Sequence, residues 1–408
     1  MSLSRKVQPG IFSIPVLVAA LGYFVDIYDL LLFGIIRKTS LRSLGLSEEM
    51  VLTSGEFIIS TQMIGLLVGG ILWGVMGDKK GRLSVLFGSI VLYSLANIAN
   101  GMVHTVNEYA LLRFIAGVGL AGELGAGITL VSELLPKEKR GLGTSMVAGW
   151  GLTGAVVAYF ISKEFDWRVC YFIGGGMGLL LLLLRISVFE SSLFNQVKEM
   201  NVSRGNFFMF FTNKQRFLKY INCILIGLPT WYVIGVLVTF SDQFAKSMGI
   251  IEPVDPGKGI MFAYIGISLG DMAIGFVSQA LRSRRKALFI FYGLTMVCMI
   301  FFFLQHNSSA ALMYLICGLL GFSTGFWAIF VTMAAEQFGT NLRATAATTV
   351  PNMVRGALPL MILLFKSLRH STGFIIGGII TAVIIMAITL LAASYTKETF
   401  GKDLMYVE

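Results

Sequence analysis

The chain has 408 residues, of which 56% are hydrophobic and only 13% charged, and its mean hydropathy is +0.79. A water-soluble fold of this length needs a polar shell with roughly twice that share of charge, so the composition excludes a soluble enzyme or binding module and points to a bilayer. The net charge of +10 does not point to nucleic acid, because Lys and Arg stand in short clusters between apolar runs.

In lipid only helices and closed barrels satisfy every backbone polar group, and long runs without period-two alternation select helices. Twelve such runs are expected, near residues 14–36, 52–76, 83–102, 106–131, 142–162, 170–188, 217–240, 258–281, 287–305, 310–334, 344–365 and 373–393. Each is close to the roughly 20 residues that cross a bilayer. Arg5 and Lys6 precede a first run too long for a cleaved signal, so it reads as a span. The division expected is an N-terminal six-helix half (1–188), a polar cytoplasmic linker (189–216) and a C-terminal six-helix half (217–408). The bias of Lys and Arg places both termini in the cytoplasm, although the cluster at Arg37–Arg42 breaks that pattern.

Charges within spans are expensive and therefore functional by default. Span one carries Asp26 and Asp29, a helical turn apart, with Tyr28 between them. Carboxylates so close together are candidate proton carriers; the alternative is a lasting pair with an Arg. Gln62 is a polar group amid the apolar run of span two. Span four contains Arg113, for which structural pairing is the favoured role. It also contains Glu123, set among glycines from Gly117 to Gly127, a second candidate for proton coupling. Span eight adds Asp271 as a third. In span seven Trp231 and Tyr232 follow Pro229, and Trp327 lies in span ten; such amphipathic rings suit a small ligand. Trp150, Asn222 and Tyr264 are further cavity candidates. In span eleven Asn352 precedes Arg355 by one turn. A guanidinium cannot shed its proton, so Arg355 is a candidate clamp for a substrate carboxylate, or else a partner of Asp29 or Glu123.

The loops repeat between halves. Glu133 and Arg140 after span four recur as Glu336 and Arg343 after span ten, at the same separation. The loop holding Gly74, Asp78, Gly81 and Arg82 has a weaker counterpart from Gly275 to Arg285. Glycines permit its tight turn, Asp78 can meet a helix N-terminus, and Arg82 can pair with a carboxylate such as Glu133. Contacts of that kind can form in one state and break in another, so these eight residues are gating candidates. The alternative is a basic turn that only anchors topology.

The Gly74–Arg82 loop, together with Arg113 and Gly117 of span four, resembles the signature motifs of the major facilitator superfamily. Asp26 and Asp29, Gly122 and Glu123, Glu190, Arg140 and Gly141, Asn352, and Arg355 and Gly356 look like its metabolite–proton symporter branch. That resemblance implies an all-α membrane fold of 12 transmembrane helices in two pseudo-symmetric six-helix halves. It favours Asp29 as the proton carrier and implies proton-coupled import of a small organic acid or zwitterion by alternating access. Span five lacks the proline typical of exporters, and Gln279 stands where the first half has Asp78. The other reading is an uncoupled facilitator or exporter of a small, even cationic, solute. Neither requires a cofactor, a metal or an enzyme active site. The expected partners are substrate, protons and lipid, a monomer suffices, and a bacterial inner membrane is the expected location. The four Cys and three His form no metal-binding pattern.

Overall fold

The computed structural model describes residues 13–80, 82–123, 125, 127, 131, 135, 137–185, 207–339 and 342–401. These residues are helical, with no strand among them. Nine of the described helices are long and apolar enough to cross a bilayer, and Ser84–Asn100 is a shorter apolar one. With the helices Val106–Leu120 and Lys137–Glu164, a described helix lies in each of the twelve expected spans. Span four begins on a capping box: Thr105 Oγ1 accepts from the Glu108 amide at 3.2 Å, and Glu108 Oε2 accepts from the Thr105 amide at 3.2 Å.

Three spans of the second half are interrupted. Span seven runs as Lys214–Leu225, Leu228–Tyr232 and a π-helical stretch Val233–Val238, and a separate short helix Ser241–Ser247 follows it. Pro229 has no N–H to donate, and the wide turn is closed by Thr239, whose amide and hydroxyl both donate to the Ile234 carbonyl at 3.1 and 2.6 Å. Span ten is split into Ala310–Ser323 and Trp327–Glu336, and span eleven into Arg343–Gly356 and Leu358–Thr372. Apolar periodicity averages over such breaks, so they were not visible in the hydropathy.

The two halves are built on the same crossing. A Cβ on Gly117 would lie 2.3 Å from the Gln62 carbonyl oxygen, one on Gly65 2.2 Å from that of Phe114, and one on Gly69 2.3 Å from that of Val118. The second half repeats this in register, with Gly321 on Ala263 (1.9 Å), Gly266 on Gly318 (2.1 Å) and Gly270 on Phe322 (2.2 Å). Spans two and four, and likewise eight and ten, therefore touch backbone to backbone, which only glycine allows. The halves meet chiefly through span two against eleven and span five against eight.

Two expectations change. The linker is not polar throughout: Phe207–Phe210 forms a short 3₁₀ turn, and the buried Phe210 stacks on Tyr220 at 4.4 Å. Trp150 is 65% exposed on the protein surface, so it is not enclosed in a buried pocket.

Candidate functional site

The charges expected within spans are almost entirely out of contact with solvent, and most are paired inside the first half. Arg113 donates to Asp29 Oδ1 at 2.8 Å, to the Asp29 carbonyl at 2.9 Å, to Asn97 Oδ1 at 3.1 Å and to Gln62 Oε1 at 3.4 Å. Both partners are fully buried. Glu123 is held just as firmly, by both terminal nitrogens of Arg185 (3.2 and 2.7 Å) and by the Ser89 hydroxyl at 2.9 Å. Arg185 reaches it by crossing the bare backbone of Gly22, where a Cβ would sit 2.0 Å from the guanidinium. Neither acid pairs with Arg355, the partner considered for them from sequence.

Asp26 is different. It is completely buried, and neither carboxylate oxygen has a hydrogen-bond partner. The charges near enough to act on it are Arg355, Glu123, Asp29 and Arg185, with Arg355 foremost. Arg355 and Asp26 also both act on Tyr23 and Tyr264, so these four groups share one region between the halves.

Arg355 is 1% exposed, and its Nε has no partner. One terminal nitrogen donates to Asn352 Oδ1 at 3.3 Å. Its guanidinium lies 5.7 Å from the ring centroids of both Trp231 and Trp327, whose rings are 6.4 Å apart at 70°. The buried Trp231 indole N–H is also unpartnered. Asn352 ties this cluster across the halves, donating to the Ala121 carbonyl of span four at 2.8 Å. Next to it a cavity lined by Leu30, Gln62, Met63, Trp231, Ile234 and Leu358 opens between spans one and two on one side and seven and eleven on the other.

The remaining candidates also make hydrogen bonds that tie the spans together. The Tyr28 hydroxyl donates to the Cys170 carbonyl at 2.9 Å and that of Tyr232 to the Gly378 carbonyl at 2.6 Å, fastening neighbouring spans. Asp271 Oδ1 accepts from the Ala328 amide at 3.0 Å and so caps the second segment of span ten. The Gln62 amide group donates to the Leu30 carbonyl at 3.2 Å.

Near the chain ends, Gly74 packs on span eleven, where its Cβ would lie 3.0 Å from Thr349 Cγ2. Glu336 pairs with Arg284 at 2.7 Å, and Arg343 is close enough for its charge to act on it. Gly81 and Glu133 lie outside the described residues, as do the side chains of Asp78, Arg82 and Arg140. Sequence reasoning missed Glu398, just beyond span twelve. It accepts from the Ser283 hydroxyl and from the amides of Arg284 (3.0 Å) and Arg285 (3.2 Å), capping span nine. Burial pushes its carboxyl up, but these donors outweigh it and hold the group down to about 2.

At the opposite face three acids join the halves through ion pairs: Asp242 with Arg37 and Lys38 (3.1 and 2.9 Å), Glu56 with Arg369 (2.5 Å) and Asp255 with Lys163 (2.5 Å). Burial raises the Asp242 carboxyl, yet Arg37 and Lys38 outweigh it and keep the group below the usual carboxylate range.

Residues 19–362 match the family model of the Major Facilitator Superfamily. The chain is 25% identical to a niacin transporter of Acinetobacter baylyi, over 95% of this chain and 94% of that one. It is 23% identical to a sialic acid transporter of Escherichia coli, over 82% of each. Its fold is similar to that of a proton:xylose symporter bound to 6-bromo-6-deoxy-D-glucose, with a TM-score of 0.73 at 18% identity and 97% coverage of both chains.

Proposed function

Given that the chain belongs to the major facilitator superfamily and is a multi-pass membrane transporter of a small molecule, not an enzyme, we propose that it imports a small carboxylate together with a proton. The observation that carries this reading is a set of unmatched buried groups between the halves. Arg355 Nε and the Trp231 indole are donors without acceptors, whereas Asp26 is an acceptor without donors. Buried polar groups are normally satisfied, so such a set is completed by what passes through it.

A substrate carboxylate would accept from Arg355 and Trp231 while its apolar body lies against the two tryptophans and the neighbouring cavity. Niacin and sialic acid, the solutes named for two relatives, both carry such a group. A proton on Asp26 neutralises a charge that no cation compensates directly, and it breaks no ion pair. Protonating Asp29 or Glu123 would instead dismantle a network. Asp26 is therefore the coupling site of this reading, with Asp29–Arg113 and Glu123–Arg185 as struts of the first half. Both chain ends face the cytoplasm of a bacterium, a monomer suffices, and the groups around Gly74, Glu336 and Arg284 form part of the inner gate.

The test uses purified protein in liposomes holding a pH-sensitive dye. Nicotinate, sialic acid, benzoate and neutral sugars are added in turn, with empty liposomes and Asp26→Asn protein as controls. Acid-dependent proton influx seen only with the parent protein establishes symport. Flux of labelled acid without protons would leave a carrier and remove the coupling.

A further inference from the structure

The transport reading uses groups at mid-depth and near the chain ends, and it leaves the cross-half ion pairs at the opposite face without a role. We propose that Arg37–Asp242, Arg369–Glu56 and Lys163–Asp255 close the carrier on its external side, and that the Arg37–Asp242 pair sets how often the substrate cavity opens outward. This rests on the alternating-access reading above.

Placement supports the assignment. Arg37 and Lys38 end span one, Glu56 lies early in span two and Lys163 ends span five, all in the first half. Asp242 follows span seven, Asp255 caps span eight and Arg369 ends span eleven, all in the second half. Every pair thus bridges the two halves at one face. The first two are linked as well, because the charge of Glu56 also acts on Arg37. The chain of charges therefore alternates sign as it crosses and recrosses the interface: Asp242, Arg37, Glu56, Arg369.

The seal is dry at its centre. Arg37 and Asp242 are 1% and 2% exposed, against 12% and 4% for Arg369–Glu56 and 50% and 30% for Lys163–Asp255. Arg37 also donates to the Thr239 carbonyl at 3.3 Å and lies 4.7 Å from the Phe240 ring. Thr239 lines the cavity too, with Leu31 and Gly34 facing it from span one, so the latch is the immediate roof of that space. When the halves part, Arg37 and Lys38 leave with span one and Asp242 with the second half, and water solvates all three. Removing Asp242 would leave the buried Arg37 and the partly exposed Lys38 without their paired anion in the closed form and would cost little in the open one, where they are hydrated. The equilibrium must then shift toward the outward-open state.

The experiment uses intact bacteria making the full chain with Leu31→Cys, labelled from outside by a membrane-impermeant maleimide. The chain without that substitution measures background from the four buried native cysteines. Asp242→Asn is expected to speed labelling by about tenfold or more, and Glu56→Gln by a smaller factor. Lys163→Gln should change it by less than about twofold, since exposed pairs contribute little. Exchanging the charges, Arg37→Asp with Asp242→Arg, should return labelling toward the parent rate. Unchanged labelling in Glu56→Gln and Asp242→Asn, at equal amounts of folded protein by gel filtration, overturns the proposal; if Asp242→Asn does not fold, Glu56→Gln decides. The labelling pattern with no proton flux in the liposome assay would keep the closure and remove the coupling reading.

Discussion

Asp29 accepts a 2.8 Å bond from Arg113, while Asp26, one turn earlier on the same helix, accepts none. Two acids of equal intrinsic chemistry are thus given opposite surroundings by their neighbours. Asp29→Asn should strip a buried guanidinium of its anion and cost about 3–5 kcal/mol, seen as a large drop in melting temperature in detergent. Asp26→Asn should leave stability within about 1 kcal/mol of the parent, or raise it, while abolishing proton-driven accumulation. Equal melting losses in the two variants would refute this division.

Binding should be visible in the tryptophan signal, because Trp231 and Trp327 flank Arg355. Arg355→Lys keeps the charge but loses the planar fork, and a transported acid should bind about tenfold or more weakly. Titration of fluorescence against acid concentration gives both affinities directly.

These two expectations show where the sequence was legible. Arg355, Asn352, Trp231 and Trp327 stood out because polar and amphipathic residues in an apolar run have few explanations, and the structure gathers them. The partners of Asp29 and Glu123 were not readable. Arg113 is 84 residues from Asp29 and Arg185 is 62 from Glu123, so only the packing of separate spans decides who meets whom. The exception to the charge bias at Arg37 and Lys38 also acquires a cause. Those cations are matched by Asp242, more than 200 residues away, rather than left to set topology.

Glu398 gives a pH dependence with a definite sign. Its folded carboxyl titrates near 2 against an ordinary 4.5, so its stabilisation is fully present above pH 4.5 and is lost as pH falls toward 2. In Glu398→Gln that acid-dependent loss should shrink relative to the parent. Melting curves of the two proteins between pH 5 and about 2.5 make the comparison; parallel curves would mean the cap contributes nothing.

The glycine crossings predict a contrast within one residue type. Gly117→Ala and Gly321→Ala drive a methyl into a carbonyl at 2.3 and 1.9 Å and should each destabilise by about 1–3 kcal/mol. Gly176→Ala meets nothing within 4 Å and should be neutral or slightly stabilising. Thermal scans of the three purified variants decide it.

The interruptions in spans seven, ten and eleven bear on how the work of the cycle is divided. Those three fall in the second half; among the described residues span four of the first half is also broken, at 121–122, but span one is a continuous helix from Ile14 to Ser43, braced by two buried ion networks. A body braced in this way is expected to be the stiffer of the two. Bending is then concentrated in its partner, where backbone hydrogen bonds are already broken and Asp271 pins only one end of a split helix. The carrier is symmetric in ancestry and lopsided in compliance.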